Sequence, residues 1–319
     1  MKKLVIIFLL LAIFCSVFAG CGMQGEDNGD EFHIVCTVFP QYDWLRNITK
    51  GCENIKLTLL LQSGSDMHSY QPTVKDLSLI GSCDALVYVG GESDAWVKEY
   101  ISTSGKKDTL YLSLLDELGD RALDLPRAFE QEHGDHQHSH ECIKDEHIWL
   151  SLKNAARLCG ALCDKLSSLV PENAQTLKSN TEEYLSMLNE LDKDYTDSVK
   201  QSECKTLLFA DRFPFVYLAN DYGIEYYSAF NSCSAETEAT FETVAYLADI
   251  INSKGLKTVM ILEGSDSALA DTVISTSSSA CTVRALDSLQ SVTSEQIRGG
   301  LTYLETMKSN LDVIKEALK

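Results

Sequence analysis

Apolar and polar positions in this chain follow two periods in turn. Short apolar runs at residues 34–38, 55–61 and 85–89 read as strands, and the stretches between and after them, 42–49, 74–80 and 95–101, carry a helical period. Strands alternating with helices predict a parallel sheet covered by helices on both faces. Two longer helical patterns follow at 148–169 and 172–200, the second opened by Pro171, which a first turn tolerates. That second pattern places Leu177, Tyr184, Leu185, Leu188, Leu191 and Tyr195 close to one face. A helix of roughly thirty residues spans about 45 Å, more than one lobe requires, so it is expected to act as a strut. The alternation then resumes, with strands at 206–210, 224–229, 258–262 and 282–286, helices at 215–221, 236–252 and 268–276, and a last helix from residue 300. The predicted fold is α/β, with two lobes, each a parallel sheet flanked by helices, joined by one long rigid helix. The N-terminal lobe is expected over 32–170, the linking helix over 171–200 and the C-terminal lobe over 201–319.

The first thirty residues stand outside this pattern. Lys2 and Lys3 precede an apolar run over 4–19 that is short for a membrane span, and the run ends in Phe18-Ala19-Gly20-Cys21. This reads as a signal peptide over 1–20 with a bacterial lipobox, although Phe18 stands where Leu is usual. Cleavage before Cys21 and acylation of its thiol would leave an extracytoplasmic protein anchored to the cell membrane by a lipid, with 21–31 as a polar tether. Ordinary secretion and an uncleaved anchor are the competing readings.

The formal charge of −20 argues against nucleic acid and anionic membrane surfaces as partners. Of eleven cysteines, Cys15 leaves with the signal and Cys21 is acylated, so an odd number remains. At least one thiol then stays free unless it pairs between chains. Cys159 and Cys163 share a helix face, where burial is favoured over a bridge. Bridges among Cys36, Cys52, Cys83, Cys142, Cys204, Cys233 and Cys281 remain open. No CxxC pair occurs, which disfavours a thiolate zinc site.

Chemistry enters most strongly at 132–150, EHGDHQHSHECIKDEHIWL, which holds five of the seven histidines. Imidazole and carboxylate at that density bind divalent metal. His133, His136, His138 and His140 sit among Gly, Asp, Gln and Ser, which neither pack nor hold a helix, so they are expected on a loop over 132–141. His147 opens the apolar pattern of Ile148, Trp149 and Leu150 and is expected to be held rigidly. In open α/β sheets ligands sit at the carboxyl ends of strands. That singles out His68 after the strand ending at Leu61, Asp211 closing LLFAD, Glu263 closing VMILE, and Asp287 following VRAL. Surface hydrogen bonding for His68, helix capping for His147 and Asp287, and an ion pair with Arg212 for Asp211 are the plainer alternatives.

The segments VFPQYDW at 38–44, SGSDMHSYQPTVKDL at 63–77, DEHIWLS at 145–151 and YLANDYGI at 217–224 resemble the metal-binding lipoproteins of zinc and manganese ABC importers. The resemblance runs from about 32 to 319 and includes the His-rich loop typical of the zinc-specific branch. It implies that His68 and His147 are the first two imidazole ligands and that Asp287 is the late carboxylate ligand. It also implies delivery of the ion to a membrane permease driven by a separate ATPase, with the chain expected to be a monomer and no chemistry done on the metal. The third ligand departs from the family pattern. The family normally has His or Glu five residues before the tyrosine matching Tyr217, and this chain has Arg212 there, whose guanidinium stays protonated and cannot coordinate. The adjacent Asp211 is the expected substitute, with Arg212 turned away, and Glu263 or water would complete the shell otherwise. Glu146 is a second departure, standing where the family usually has proline and adding a carboxylate near the cleft.

Two imidazoles with one or two carboxylates suit four-coordinate Zn²⁺, whereas Mn²⁺ prefers more oxygen. The first shell leaves the choice open and the His-rich loop favours zinc, with manganese or iron as the alternative. An enzyme reading would make the same cluster a metallohydrolase with Glu263 as general base, but neither HExxH nor a two-metal carboxylate pattern appears. A surface adhesin or zinc-storage lipoprotein would share the binding site and differ only in its partners.

Overall fold

The computed structural model describes residues 31–125, 143–231 and 239–319. The signal segment with Cys21, the loop carrying His133, His136, His138 and His140, and Cys142 and Cys233 lie outside the described residues.

Two four-stranded sheets share one plan. Strands β1 (Phe32–Cys36), β2 (Ile55–Leu59), β3 (Ala85–Tyr88) and β4 (Leu110–Ser113) lie in the order β2-β1-β3-β4, with every neighbouring pair parallel. Strands β5 (Thr206–Phe213), β6 (Glu225–Asn231), β7 (Thr258–Leu262) and β8 (Thr282–Leu286) repeat that order as β6-β5-β7-β8, again parallel throughout. Every residue of β3 and β7 is buried, as inner strands covered on both faces require. In each sheet the chain leaves its first strand toward one side and returns on the other, which opens a crevice beyond the carboxyl ends of the strands.

Helix starts are set by local side chains. The helix Val74–Ser82 opens with a capping box in which Asp76 N–H donates to Thr73 Oγ1 at 3.2 Å and Thr73 N–H donates to Asp76 Oδ2 at 2.8 Å. The helical pattern expected from 148 divides into a 3₁₀ turn at Ile148–Leu150 and the α-helix Leu152–Leu169, because Ser151 Oγ accepts from Asn154 N–H at 3.0 Å and fixes the start there.

Other departures also have local causes. β4 and the helix Leu114–Leu118 were not predicted, since four residues are too few to show a period and only pairing with β3 makes them a strand. β5 runs three residues past 210, so Asp211 and Arg212 lie within it, beside an irregularity in register between Phe209 and Arg212.

The long helix runs Ala174–Gln201 after a 3₁₀ turn at Pro171–Asn173. Leu177, Thr181, Tyr184, Leu188, Leu191, Tyr195 and Val199 form its buried stripe. It packs along the preceding helix and touches both halves of the molecule. Asn180 Nδ2 donates to the carbonyls of Ile48 and Lys50 at 3.0 and 2.8 Å, and Tyr195 Oη donates to Met307 O at 2.6 Å. Further bonds cross between the halves: Tyr303 N–H donates to Asp43 Oδ2 at 2.8 Å and Arg46 Nη2 to Leu301 O at 3.1 Å.

Cys36, Cys52, Cys83, Cys159 and Cys163 are buried free thiols, and Cys204 and Cys281 are also unbridged. Burial pushes the Cys36 thiol well above its usual range. No helix among the described residues is long and apolar enough to cross a membrane.

Leu188, fully buried at the middle of the long helix, gives a direct test of the strut. Leu188→Ala is expected to cost about 2–5 kcal/mol of unfolding free energy in urea titration, and a loss below roughly 1 kcal/mol would mean that the helix contributes little to the joint core.

Candidate metal centre

The segment from Asp145 to Ser151 builds the rigid half of the site. His147 and Asp145 are fully buried. Asp145 Oδ1 accepts from His147 N–H at 2.9 Å and faces His147 Nδ1 at 3.0 Å. A carboxylate only accepts, so Nδ1 carries the proton and the lone pair lies on Nε2, the tautomer a metal needs. Tyr217 Oη donates to Asp145 O at 2.9 Å and accepts from Leu123 N–H at 3.0 Å, which fixes the segment from behind. Trp149 Nε1 donates to Ser288 O at 2.8 Å, and Tyr303 Oη donates to Trp149 O.

His68 approaches from the turn after β2. Asp66 opens a 3₁₀ turn at Met67–Ser69, its Oδ1 accepting from His68 N–H at 2.9 Å. The His68 ring places Nδ1 2.7 Å from Ser93 Oγ and 3.7 Å from Glu146 Oε2. Glu146 is buried, and its Oε1 accepts from Ser93 N–H at 2.8 Å. A side-chain carbon on Gly91 would meet Glu146 Oε1 at 2.1 Å, so glycine is required for this carboxylate to fit. Burial and the neighbouring His147 lower the His68 pKa, with Asp66 and Glu146 acting against them, and the net effect favours the neutral imidazole. Burial raises the Asp66 carboxyl, but the His68 N–H bond and the His68 and Arg212 charges outweigh it and hold the group below the usual carboxylate range.

The two Nε2 atoms stand 3.2 Å apart, with ring centroids at 5.2 Å. Two nitrogens bonded tetrahedrally to one zinc at about 2.0–2.1 Å are separated by roughly 3.3 Å, so the pair already has chelating spacing.

The carboxylates of the C-terminal half are not gathered with this pair: among the described residues no group of three or more His, Cys, Asp and Glu converges to hold a metal ion. Asp287 Oδ1 accepts from Leu289 N–H at 2.8 Å, and burial raises its pKa. Glu263 accepts from Ser288 N–H at 2.8 Å and from Ser288 Oγ at 2.6 Å. Burial, and then the adjacent Asp287, push Glu263 up to about 7. Leu289 has φ 59°, a left-handed backbone that costs a branched, buried side chain of order 1–3 kcal/mol. Asp211 accepts from Arg212 N–H at 2.8 Å and from Leu262 N–H at 3.1 Å, bracing β5 to β7. Arg212 does not turn away from the cleft as expected: its Nη1 lies 2.9 Å from Asp66 Oδ2.

Sequence reasoning missed Ser93, Asp66 and the orienting role of Asp145. For Asp145 a signal was present, since a carboxylate two residues before a candidate imidazole ligand is a common orienting arrangement. Ser93 carries none, because only the fold brings it to His68.

Comparison with known proteins extends these observations. Residues 34–317 match the family described as zinc-uptake complex component A, periplasmic. Zinc-binding lipoprotein AdcA of Streptococcus pneumoniae is 30% identical over 320 residues, which cover 99% of this chain and 61% of AdcA, so the chain spans less than two thirds of that relative. The high-affinity zinc uptake system protein ZnuA of Bacillus subtilis is 28% identical over 327 residues, covering 99% of this chain and 98% of that protein. The crystal structure of the Zn(II)-bound ZnuA-like domain of Streptococcus pneumoniae AdcA aligns with a TM-score of 0.73 at 26% identity, over 90% of this chain and 99% of that domain.

The raised Glu263 pKa makes a signed prediction for the metal-free protein. A carboxyl whose pKa is higher folded than unfolded contributes stability that is complete below the unfolded value and lost as pH rises through the folded one. Stability should therefore fall between about pH 4.5 and 7.5, by on the order of 2–3 kcal/mol from this group, and Glu263→Gln should flatten that slope in urea titrations across the range. An unchanged slope in the variant would place the raised carboxyl elsewhere.

Proposed function

The chain belongs to the family of the periplasmic zinc-uptake complex component A, and from that premise we propose that it captures Zn²⁺ between its lobes and delivers it to an ABC permease powered by a separate ATPase. The observation that carries this reading is the His68–His147 pair, with Nε2 atoms at 3.2 Å and both Nδ1 atoms tied to neighbours. Such a pair has the spacing of two imidazoles on one ion, and imidazole favours zinc over manganese, which prefers more oxygen.

Asp287 is proposed as the carboxylate that completes capture. It and Glu263 are neighbouring, half-buried acids, each held above its usual pKa. A divalent cation close to them would favour the ionised forms that burial opposes. The strained backbone at Leu289, two residues on, supplies a conformation that ligand approach can relax. Asp211 accepts one bond on each oxygen, from Arg212 and Leu262, and Glu263 likewise accepts two from Ser288, so each keeps lone pairs for coordination and Asp211, Glu263 or water is proposed for the remaining position. His133, His136, His138 and His140 are proposed as an accessory collector of the ion, and Cys21 as the site of lipid attachment.

Metal analysis and competition titration of the mature protein test the reading. One zinc per chain is expected. His147→Ala should reduce affinity by more than the 10–100-fold typical of losing an orienting partner, and Asp145→Ala should fall within that 10–100-fold range. Deleting 132–141 should leave the tight site in place. Zinc lost with the loop but retained without His147 would instead make the chain a surface chelator.

Because a protonated imidazole cannot coordinate, affinity should decline once acid protonates His68, whose pKa burial and His147 hold below the ordinary histidine value. Undiminished affinity in acid would overturn a two-imidazole site.

A further inference from the structure

Arg212 stands in the strand β5 of the C-terminal half, at the position where the resemblance leads one to expect a coordinating side chain, yet its guanidinium crosses to the N-terminal half. There it meets Asp66, and that single carboxylate has two engagements. Oδ2 is 2.9 Å from Arg212 Nη1, while Oδ1 holds the backbone N–H of His68 at 2.9 Å. The Asp66 carbonyl also accepts from Ser69 N–H at 3.1 Å and from Ser69 Oγ at 3.0 Å, closing the turn on which His68 rides. The ion pair is partly shielded, with side-chain exposures of 27% and 21%, and its chain of contacts ends on the backbone of a chelating histidine.

A second attachment lies a few residues upstream. Gly64 N–H donates to Val292 O at 3.2 Å and Ser294 N–H to Gln62 O at 2.8 Å, an antiparallel bridge between the approach to His68 and the segment following Asp287. Gly64 adopts φ 75°, and a side-chain carbon there would come within 3.0 Å of Thr293 Cγ2, so the close approach depends on glycine. The His68 turn is thus gripped by the opposite half at two points, one made of backbone and one made by Arg212.

We propose that Arg212 is a positioning residue, a latch that holds the His68 turn against the C-terminal lobe through Asp66 and so sets the rate at which the captured ion is released. A guanidinium cannot itself coordinate, and as a permanent cation it would repel the ion were it not neutralised by Asp66. Chelating spacing between His68 and His147 requires the His68 turn to stay in place, and release without a large hinge movement requires it to move. The latch acts on that step. The proposal rests on the zinc-capture reading for its kinetic consequence but not for its structural one.

Its test therefore has two arms. In the metal-free protein, Arg212→Met and Asp66→Asn should each speed amide hydrogen exchange across residues 66–70, with thermal unfolding showing the rest of the fold intact. In the zinc-loaded protein, mixing with excess chelator should show release about tenfold faster in either variant. Arg212→Lys should recover part of the difference, and the double variant should be no faster than the faster single one, because both remove one interaction. Exchange and release at wild-type rates in Arg212→Met, or effects that multiply in the double variant, would overturn the latch. If the wild-type protein holds no zinc that His147→Ala removes, the capture reading fails, and the exchange arm still decides whether Arg212 holds the turn.

Discussion

A fully buried carboxylate facing a fully buried imidazole is the constraint on which the other features depend. Asp145 and His147 are each completely shielded from solvent. Removing a carboxylate from water costs several kcal/mol unless donors meet it. Here the backbone N–H and the Nδ1–H of His147 do so. That solution fixes the tautomer of His147, and it also fixes where the following residues go. Ile148, Trp149 and Leu150 are carried into the core, Trp149 reaches the carbonyl of Ser288 beside Asp287, and Tyr303 holds Trp149 in return. The short segment that presents one imidazole therefore also seats the loop bearing the expected carboxylate ligand. Perturbing the pair would disturb both halves of the cleft together.

The two sides of the cleft differ in how finished they are. On the N-terminal side the imidazoles have chelating spacing and each Nδ1 has a partner. On the C-terminal side Glu263 and Asp287 lie half-buried near each other, both pushed up in pKa, and the backbone between Asp287 and the cross-lobe bridge passes through a left-handed leucine. One side is preorganised and the other stores strain. An ion that lands first on preformed nitrogens loses little to reorganisation. On the proposed reading, the carboxylate side is then the part that adjusts as capture is completed.

Much of this was legible in the residues, and the illegible part has a physical pattern. Strand and helix periods located both sheets and the long helix because buried stripes such as Leu177, Tyr184 and Leu188 repeat at fixed spacing. His68 and His147 could be singled out because imidazoles at strand ends and helix starts are chemically conspicuous. The partners of those imidazoles could not. Ser93 lies 25 residues from His68 along the chain, and neither its type nor its neighbours announce the contact. Arg212 was misjudged for a related reason. Its chemistry argues against coordination and suggests a side chain turned away from the cleft, whereas the extension of β5 and the position of Asp66 direct it across the lobes. Which side chains neighbour a site is decided by tertiary placement, and local sequence carries no record of that.

The long helix limits how an ion could leave. A cleft protein whose halves meet only at flexible strands can open by rotation, but here Asn180 and Tyr195, on one rigid element, bond to the N-terminal and C-terminal halves respectively. The crossing bonds, Tyr303 N–H at the start of the last helix to Asp43 and Arg46 to the Leu301 carbonyl just before it, are at least partly buried as well. Each such bond contributes about 0.5–1.5 kcal/mol, and those to charged groups about 1.5–3, so opening the whole interface would cost a large share of the 5–15 kcal/mol that stabilises a typical domain. Moving one turn costs far less. The His68 turn is short and is tied to the other half by the Asp66–Arg212 pair and the bridge at Gln62 and Gly64, so moving it breaks these few contacts while the buried His147 segment stays packed. On the proposed reading capture and release are separated in space, His147 staying with the buried core while the His68 turn moves.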